Sequence, residues 1–178
     1  MADNKIDLEI VTPKGKALSV SVDEVTAPSV NGEFGVLPGH LPLVASIRTG
    51  LVTYRQGAET KKCAVGPGFA EAGQNKLLIL AEDYADREGL DPVVIRKEFH
   101  EIDQKVEKVL AQLEPSPELE NERRHLVGRQ NWLAALLELY GDPPAATLRP
   151  FEEWGPPPEP IVEEEEGKPA GLDIYGAP

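Results

Sequence analysis

Residues 6–22 read IDLEIVTPKGKALSVSV, two alternating apolar runs on either side of a turn. In the first run Ile6, Leu8 and Ile10 alternate with acidic residues, which is typical of a strand that buries one face. The second run repeats the pattern with serines between its apolar residues, and residues 13–15 supply turn formers. We therefore predict an antiparallel pair of strands that opens an all-β domain.

Short apolar runs continue to about residue 88, and glycine-rich turns separate them. The runs cover residues 25–27, 35–37, 43–47, 51–54, 60–65, 69–72 and 77–81. Many short strands at near-regular spacing are typical of a β-sandwich or a flattened barrel. We predict such a sandwich, of about ten short strands, over residues 1–88.

The hydrophobic period changes from two to that of a helix in residues 89–141. Asp91-Pro92 is a strong helix start, because aspartate caps free backbone amides and proline suits the first helical position. From Ile95 onward apolar residues recur at steps of three and four, until Pro115 ends the helix. A second helix follows at once, so the two run antiparallel. We predict a helical hairpin over these residues.

Residues 142–178 are rich in proline and acidic side chains, including Pro156–Pro158 and Glu163–Glu166. Such a composition cannot bury enough apolar surface to offset the entropy lost on ordering. We predict a disordered or polyproline-like tail. The alternative is a docking tail with four apolar anchors: Phe151, Trp154, Ile161 and Tyr175.

The chain is acidic, with 31 Asp and Glu against 18 Lys and Arg and a formal net charge of -13. This excess argues against sequence-independent nucleic-acid binding and against adhesion to an anionic membrane. No apolar stretch approaches the ~20 residues of a membrane span, so we expect no direct membrane insertion. The first residues are polar and carry no apolar signal core, so we expect the chain to stay in a cytosol-like compartment.

The sequence contains no recognisable catalytic constellation. Its histidines, His40, His100 and His125, are not spaced as metal ligands with each other or with the single cysteine, Cys63. It also lacks a nucleophile elbow, a phosphate loop and a dinucleotide fingerprint. We predict no catalytic residue, no cofactor and no metal, and therefore a chain that acts by binding within a larger assembly.

Residues 31–44, NGEFGVLPGHLPLV, are dense in glycine and proline, which together define a compact loop. A loop with so many conformationally restricted residues often positions a binding or catalytic side chain. The structural alternative is that Phe34 and Leu37 plug the core and that His40 makes a local hydrogen bond.

This segment closely resembles the signature of the epsilon subunit of F-type ATP synthase, GEFGVLPGHAPL, with Leu41 in place of its alanine. Residues 8–13 resemble the opening strand and turn of that family, residues 64–71 resemble its AVSGGFAEV strand pair, and residues 80–83 resemble its closing strand. The matches occur in the family's order, and a predicted helical hairpin follows them as it does in the family.

The resemblance implies a non-catalytic subunit at the foot of the central stalk, which couples proton flow to ATP synthesis on other subunits. Its implied partners are the gamma subunit and the c-ring, which Glu33, Phe34 and His40 would contact. The implied location is peripheral, at the cytoplasmic face of the bacterial inner membrane.

The family's hairpin is mobile and inhibits ATP hydrolysis when it extends along the stalk. Basic residues of the extended hairpin meet the catalytic alpha and beta subunits. By resemblance, the candidates for this contact are Arg123, Arg124 and Arg129.

Two features depart from the family pattern. Some members bind ATP through an (I/L)DxxRA motif, but here Leu90-Asp91 leads to Val94 where the arginine is expected. Arg96 comes two positions later, on another helix face, which argues against a nucleotide site built from Asp91 and Arg96. The tail after Gly141 is not part of the family pattern.

Two further hypotheses belong to other functional classes. One is a free-standing β-sandwich that binds a small ligand and dimerises through its hairpin, which predicts a soluble homodimer. The other is a small hydrolase that uses His40 and Glu33, which predicts turnover that is lost in His40→Ala.

Overall fold

The structure is a computed structural model that describes residues 5–112 and 116–144. Within these residues ten strands precede two helices, which confirms the predicted order of a β-sandwich followed by a helical hairpin. The strands are β1 Ile6–Thr12, β2 Gly15–Val22, β3 Glu24–Ser29, β4 Gly32–Val36, β5 Leu43–Ile47, β6 Gly50–Gln56, β7 Glu59–Val65, β8 Gly68–Gly73, β9 Lys76–Ala81 and β10 Tyr84–Ala85. The helices are α1 Pro92–Leu110 and α2 Pro117–Tyr140.

The strands form one strongly folded sheet in the order β10-β7-β6-β3-β5-β8-β9-β1-β2, with β4 paired to β3. All pairs are antiparallel except β1 with β9, which are parallel. The sheet nearly closes on itself, because the Gln56 amide donates a hydrogen bond to the Ser21 carbonyl at 3.2 Å. The architecture is therefore a flattened barrel, as the spacing of the strands predicts.

The core follows the alternation of each strand. In β1 the apolar residues Ile6, Leu8 and Ile10 are fully buried, whereas the acidic residues between them lie outward. The inward residues of β9 are Leu77 and Ile79, which pack into the same cluster. Burying an aliphatic side chain of this size contributes about 1.5–3 kcal/mol, so the inward rows stabilise the barrel.

The glycine-rich segment is more regular than the predicted compact loop. Its first part is strand β4, which pairs with β3 after a turn closed by the Ser29 hydroxyl donating to the Gly32 carbonyl at 2.6 Å. Phe34 is half-buried against the core. Leu37 is 57% exposed and does not plug the core. The irregular part is limited to residues 37–42.

The helices begin and end where local chemistry predicts. The Asp91 side chain accepts hydrogen bonds from the amides of Val93 and Val94 at the start of α1. Gly141 ends α2 in a left-handed conformation, with φ of 103°. The predicted helix stop at Pro115 and the predicted tail beyond residue 144 lie outside the described residues.

Two apolar clusters hold the hairpin. The first, which we name the proximal cluster, joins α1 and α2 to β6 and β7. The second, the distal cluster, joins only the two helices, near their connection. The buried members of the proximal cluster are Ala64, Ile95, Leu133, Ala135, Leu136, Leu137 and Leu139. The buried members of the distal cluster are Val106, Val109, Leu126 and Val127. The hairpin is therefore docked on the barrel through one half of its length.

Candidate partner surfaces and the cleft beneath the second helix

Glu33 and His40 lie on different parts of the glycine-rich segment. Glu33 is near the start of β4, where its side chain is exposed and makes no hydrogen bond or ion pair with the described residues. His40 follows the other end of β4, and its Nδ1 lies 2.7 Å from the Leu41 carbonyl oxygen. Roughly 10 Å of strand separates Glu33 from Val36, at ~3.3 Å per residue. The two side chains therefore do not form a catalytic pair.

The loop of residues 37–42 is held against the turn between β8 and β9. The Gly39 amide donates to the Asn75 side-chain oxygen at 2.7 Å, and the His40 amide donates to the Leu37 carbonyl at 3.0 Å. Gly39 has φ of +81°, a left-handed conformation that other residues rarely adopt. The loop presents Leu41, 80% exposed, to solvent. It is an apolar projection with a fixed base.

Strands β5, β8 and β9 carry exposed apolar residues on the side that faces away from the core. We name this surface the outer face and define it by Val44, Phe69 and Leu80. Phe69 pairs with Leu80 across the β8–β9 register, and Val44 lies on the neighbouring strand β5. Helix α2 packs on β6 and β7, and Val44, Phe69 and Leu80 are exposed among residues 5–112 and 116–144. Glu71 and Ser46 lie between these residues on the same face. Several large apolar side chains exposed on one side of a sheet are typical of a protein–protein contact.

A charged cluster borders the outer face at β1. Glu9 accepts a hydrogen bond from Lys76 at 2.8 Å and another from Lys16 at 3.1 Å. These bonds, first that from Lys76, lower the pKa of the Glu9 carboxyl below its ordinary value. The apolar surface therefore has an ionised rim, as protein interfaces commonly do.

The outer face is not among the surfaces expected from the sequence. The signal was present in β9, KLLILA, where four consecutive apolar residues occupy both sides of one strand. Alternation accounts for the inward pair, Leu77 and Ile79, and leaves the outward pair, Leu78 and Leu80, without a core to fill. A strand that is apolar on both sides needs a covering element or a partner.

The three hairpin arginines make different contacts. Arg129 donates to Glu98 of α1 at 2.6 and 2.9 Å and so ties the two helices together. Arg123 lies 3.5 Å from Glu120 on its own helix. Arg124 makes no ion pair or hydrogen bond with the described residues and lines a cleft instead. All three arginines therefore lie on α2, but they share no partner and do not form one cluster.

The cleft lies between α2 and the loops at one end of the barrel, and its volume is about 510 Å³. Its barrel wall comes from the loops around residues 66–67 and 82–83. Its helix wall includes Arg124, Gly128 and Trp132. The cleft therefore spans the boundary between barrel and hairpin.

Asp91 and Arg96 serve local structure. Asp91 caps α1, and the Arg96 guanidinium forms an ion pair with Asp142 just beyond α2. The two side chains have separate partners, so the structure does not bring them together as a ligand site.

Cys63 lies in the interior of the barrel, in β7. Burial raises the pKa of its thiol to about 12, and the charge of Asp86 adds to the effect. Burial likewise raises the pKa of Tyr84 beside it. A thiol that stays protonated at neutral pH is a structural side chain and not a nucleophile.

Neither a metal-binding cluster nor a membrane-spanning helix is found among the described residues. Residues 5–112 and 116–144 contain no group of three or more His, Cys, Asp or Glu side chains that could hold a metal ion. In the same ranges neither helix is long and apolar enough to cross a membrane.

Comparison with known proteins gives consistent matches. Residues 5–87 match the family described as ATP synthase, Delta/Epsilon chain, beta-sandwich domain. The chain is 41% identical over 95 residues to the ATP synthase epsilon chain of Nitratidesulfovibrio vulgaris (Miyazaki F), covering 53% of this chain and 71% of that protein. The chain belongs to the ATP synthase epsilon chain family. This membership confirms the predicted resemblance and the expectation that the chain is a subunit of an enzyme complex and not an enzyme on its own.

Other relatives extend the comparison. The epsilon chain of an Anaeromyxobacter species is 38% identical over 96 residues, which is 54% of this chain and 73% of the relative. Epsilon chain 2 of Syntrophotalea carbinolica is 40% identical over 87 residues, 49% of this chain, and is matched over only 63% of its own length. The chain thus spans less than two thirds of some of its epsilon chain relatives.

Two solved assemblies share the fold of this epsilon chain homologue. A chain of the Euglena gracilis mitochondrial ATP synthase OSCP/F1/c-ring structure superposes with a TM-score of 0.60 at 20% identity, covering 75% of this chain and 82% of that chain. A chain of the Tetrahymena thermophila mitochondrial ATP synthase central stalk/c-ring structure superposes with a TM-score of 0.50 at 14% identity, covering 79% and 99%. At these identities the likeness supports the fold alone.

Proposed function

We propose that this chain is the epsilon subunit of a bacterial F-type ATP synthase central stalk. It couples transmembrane proton flow to ATP synthesis on the catalytic subunits and makes or breaks no bond itself. Family membership supports the proposal, and the uncovered outer face is the observation that carries it. A free-standing domain gains nothing from exposing Val44, Phe69 and Leu80 together, whereas a subunit buries them against its neighbour.

The gamma subunit is the proposed partner of the outer face. Leu41 projects beside this face, because Asn75 holds the preceding loop on the β8–β9 turn. Phe34 and His40 support the same region, one from the core side and one from the loop. An apolar centre with charged Glu9 at its rim suits a contact that must transmit torque without slipping.

The c-ring is the proposed partner of the turn between β3 and β4. Glu33 lies just after this turn, near the start of β4. It is exposed and unpaired among the described residues, so its carboxylate is available for polar groups of a neighbouring ring. Because Glu33 lies near the start of β4 and Leu41 lies in the loop that follows it, one strand and its loop connect the two contacts. The barrel can then hold the gamma subunit and the c-ring at a fixed separation, at the cytoplasmic face of the bacterial inner membrane.

The docked hairpin is the proposed non-inhibitory state. Extension would open the proximal cluster and carry Arg123, Arg124 and Arg129 away from the barrel. In the extended state these arginines meet acidic residues of the catalytic alpha and beta subunits and block ATP hydrolysis. A hairpin held by one apolar contact area can have two docking states that differ by only a few kcal/mol.

Recovery of gamma from solubilised membranes tests the proposal. Val44→Glu places a charge on the outer face and should strongly reduce recovery of gamma with the tagged chain. Val93→Glu is the matched control, since Val93 is 76% exposed on α1 and Val44 is 72% exposed on β5. The proposal fails if the unaltered chain recovers no gamma or catalytic subunits, or if the two variants reduce recovery equally.

A further inference from the structure

We propose that the cleft beneath α2 is the docking site for residues 151–154 of this chain's own acidic tail, Phe-Glu-Glu-Trp. The inference concerns an intramolecular contact, and its regulatory consequence rests on the proposed function. Four properties of the cleft and the tail support it.

The first property is an open notch in the middle of α2. A Cβ atom added at Gly128 would meet nothing within 4 Å, and Gly128 does not have a positive φ. Neither close packing nor backbone conformation therefore requires glycine here, although glycine in a helix interior is less stable than alanine. The missing side chain widens the cleft, which Gly128 lines. An aromatic side chain that enters the cleft would account for the glycine.

The second property is the aromatic and apolar lining next to that notch. Trp132 is half-buried one helical turn further along α2, and Pro67 faces the cleft from the barrel. An aromatic ring stabilises a second buried ring that lies in offset or edge-to-face contact with it. The cleft volume of about 510 Å³ exceeds what one aromatic side chain needs. The lining suits Phe151 or Trp154.

The third property is charge. Arg124 lines the cleft without an ion pair to any described residue, and Glu152 and Glu153 lie between the two tail aromatics. Glu82 and Asp83 occupy the barrel wall of the same cleft, and Arg129 joins Arg124 on the helix wall, so charge favours tail acids placed beside the helix wall. Charge thus selects one orientation, with the carboxylates toward Arg124 and away from the barrel acids.

The fourth property is reach. Gly128 lies roughly 20 Å back along α2 from Gly141, at ~1.5 Å per residue. Phe151 comes ten positions after Gly141. Ten extended residues span at most roughly 33 Å, so the tail can turn back along α2 and reach the cleft with length to spare.

Occupation of the cleft would bind α2 to the barrel. The cleft has one wall on each, so a segment seated in it adds contacts that exist only while the hairpin is docked. Under the proposed function the tail therefore favours the non-inhibitory state, and its release favours extension.

The test follows the exposure of Trp154 in the full chain. Because the sequence has two tryptophans, Trp132→Phe leaves Trp154 as the only indole fluorophore and keeps an aromatic ring in the cleft. Acrylamide should quench Trp154 severalfold less in buffer than in concentrated urea. Arg124→Glu in this background should raise quenching toward the urea value. Arg123→Glu, the same charge change one position away and outside the cleft lining, should not.

A second measurement keeps Trp132 and follows its indole resonance together with the amide of Gly128. Phe151→Ala combined with Trp154→Ala should shift the amide resonances of Gly128 and the indole resonance of Trp132. The matched pair Ile161→Ala and Tyr175→Ala should leave them in place.

Three outcomes would overturn the inference. In the first, Trp154 is as accessible to acrylamide in buffer as in urea. In the second, its protection depends on protein concentration, which would indicate binding to a second copy of the chain. In the third, added ATP shifts the amide resonance of Gly128 whereas the tail variants do not. These measurements use the isolated chain. A negative result would therefore argue against tail docking only and would not affect the proposed binding of gamma, which is tested by its recovery from membranes.

Discussion

The backbone of the neighbouring strand leaves no room for a side chain at Gly68. A Cβ atom added there would lie 1.9 Å from the Leu80 carbonyl oxygen, which belongs to the paired strand β9. We predict that Gly68→Ala lowers the free energy of unfolding by about 3 kcal/mol or more, because the two strands must separate to admit the methyl group. Urea unfolding followed by circular dichroism measures the change.

Gly35→Ala is the control for this prediction. Gly35 is also in a paired strand, but nothing lies within 4 Å of an added Cβ atom. Its substitution should leave stability unchanged or raise it slightly, since alanine restricts the unfolded chain. Equal losses in both variants would show that the contact at Leu80 is not the cause.

The buried thiol of Cys63 makes stability depend on alkaline pH. The pKa of the thiol rises from an ordinary value of 9.0 to about 12 in the folded state, so above pH 9 the unfolded chain releases a proton that the folded chain keeps. Stability should then fall between pH 9 and 12, by at most about 1.4 kcal/mol per pH unit for this group. Tyr54 and Tyr84, whose pKa values are also raised, add to the loss above pH 10.

Urea midpoints at pH 8, 9 and 10 test this prediction. Cys63→Ala should flatten the decline between pH 9 and 10, where the tyrosines contribute little. A decline of the same slope in the variant would assign the effect to other groups. The native thiol should also resist a thiol reagent at pH 8 that labels the unfolded chain.

At the scale of elements, the hairpin has two separable attachments along α2. Leu137 belongs to the proximal cluster against the barrel, and Leu126 belongs to the distal cluster between the helices. We predict that Leu137→Ala weakens docking by about 2–5 kcal/mol, because it opens a cavity in the proximal cluster. Hydrogen exchange should then accelerate in the second half of α2 while β1 and β9 keep their protection.

Leu126→Ala makes the same chemical change in the distal cluster. It should accelerate exchange near the connection between the helices and leave the end of α2 protected. The assignment of the two clusters would be wrong if both variants released the same segment.

The middle of α2 carries a further weakness. The buried Gln130 donates to Asp103 of α1 at 2.6 Å, but its side-chain oxygen has no partner among the described residues. A buried acceptor left unsatisfied costs about 1–3 kcal/mol. Together with Gly128, two positions earlier, it makes this helix easier to loosen at its midpoint than at its barrel end.

At the scale of the whole molecule, the attachment between barrel and hairpin is apolar. The ion pair between Arg129 and Glu98 joins the two helices to each other and is exposed, so it is worth about 0–1 kcal/mol. We predict that raising NaCl from about 0.05 to about 0.5 M leaves the protection of Leu137 unchanged, since salt screens exposed charges and not apolar contacts. Exchange at the end of α2 that accelerates with salt would show that ion pairs hold the hairpin instead.

Only some of the candidate surfaces were expected from sequence. The family resemblance pointed to Glu33, His40 and the arginines of the second helix, and their roles stay predictions. Both Arg124 and Arg129 line the cleft, but only Arg129 is paired, with Glu98 of α1. Sequence could not show this difference, because both residues lie on one helix and differ only in what packs opposite. It also could not separate Phe69 from a core residue, since an apolar strand residue looks the same on either side of a sheet.

The succession of strands and helices follows from local periodicity. A period of two and a period near 3.6 are properties of the backbone over a few residues, so the chain itself specifies a barrel of short strands followed by a hairpin. Which apolar surfaces end up covered depends on packing between elements far apart in the chain. Helix α2 packs on β6 and β7, whereas Val44 and Leu80 stay exposed. The cleft exists because α2 lies beside the barrel loops around residues 66–67 and 82–83. Strand β9, which is apolar on both sides, is the one local sign of the outer face. The rest depends on the relative position of two surfaces that the chain brings together only when it folds.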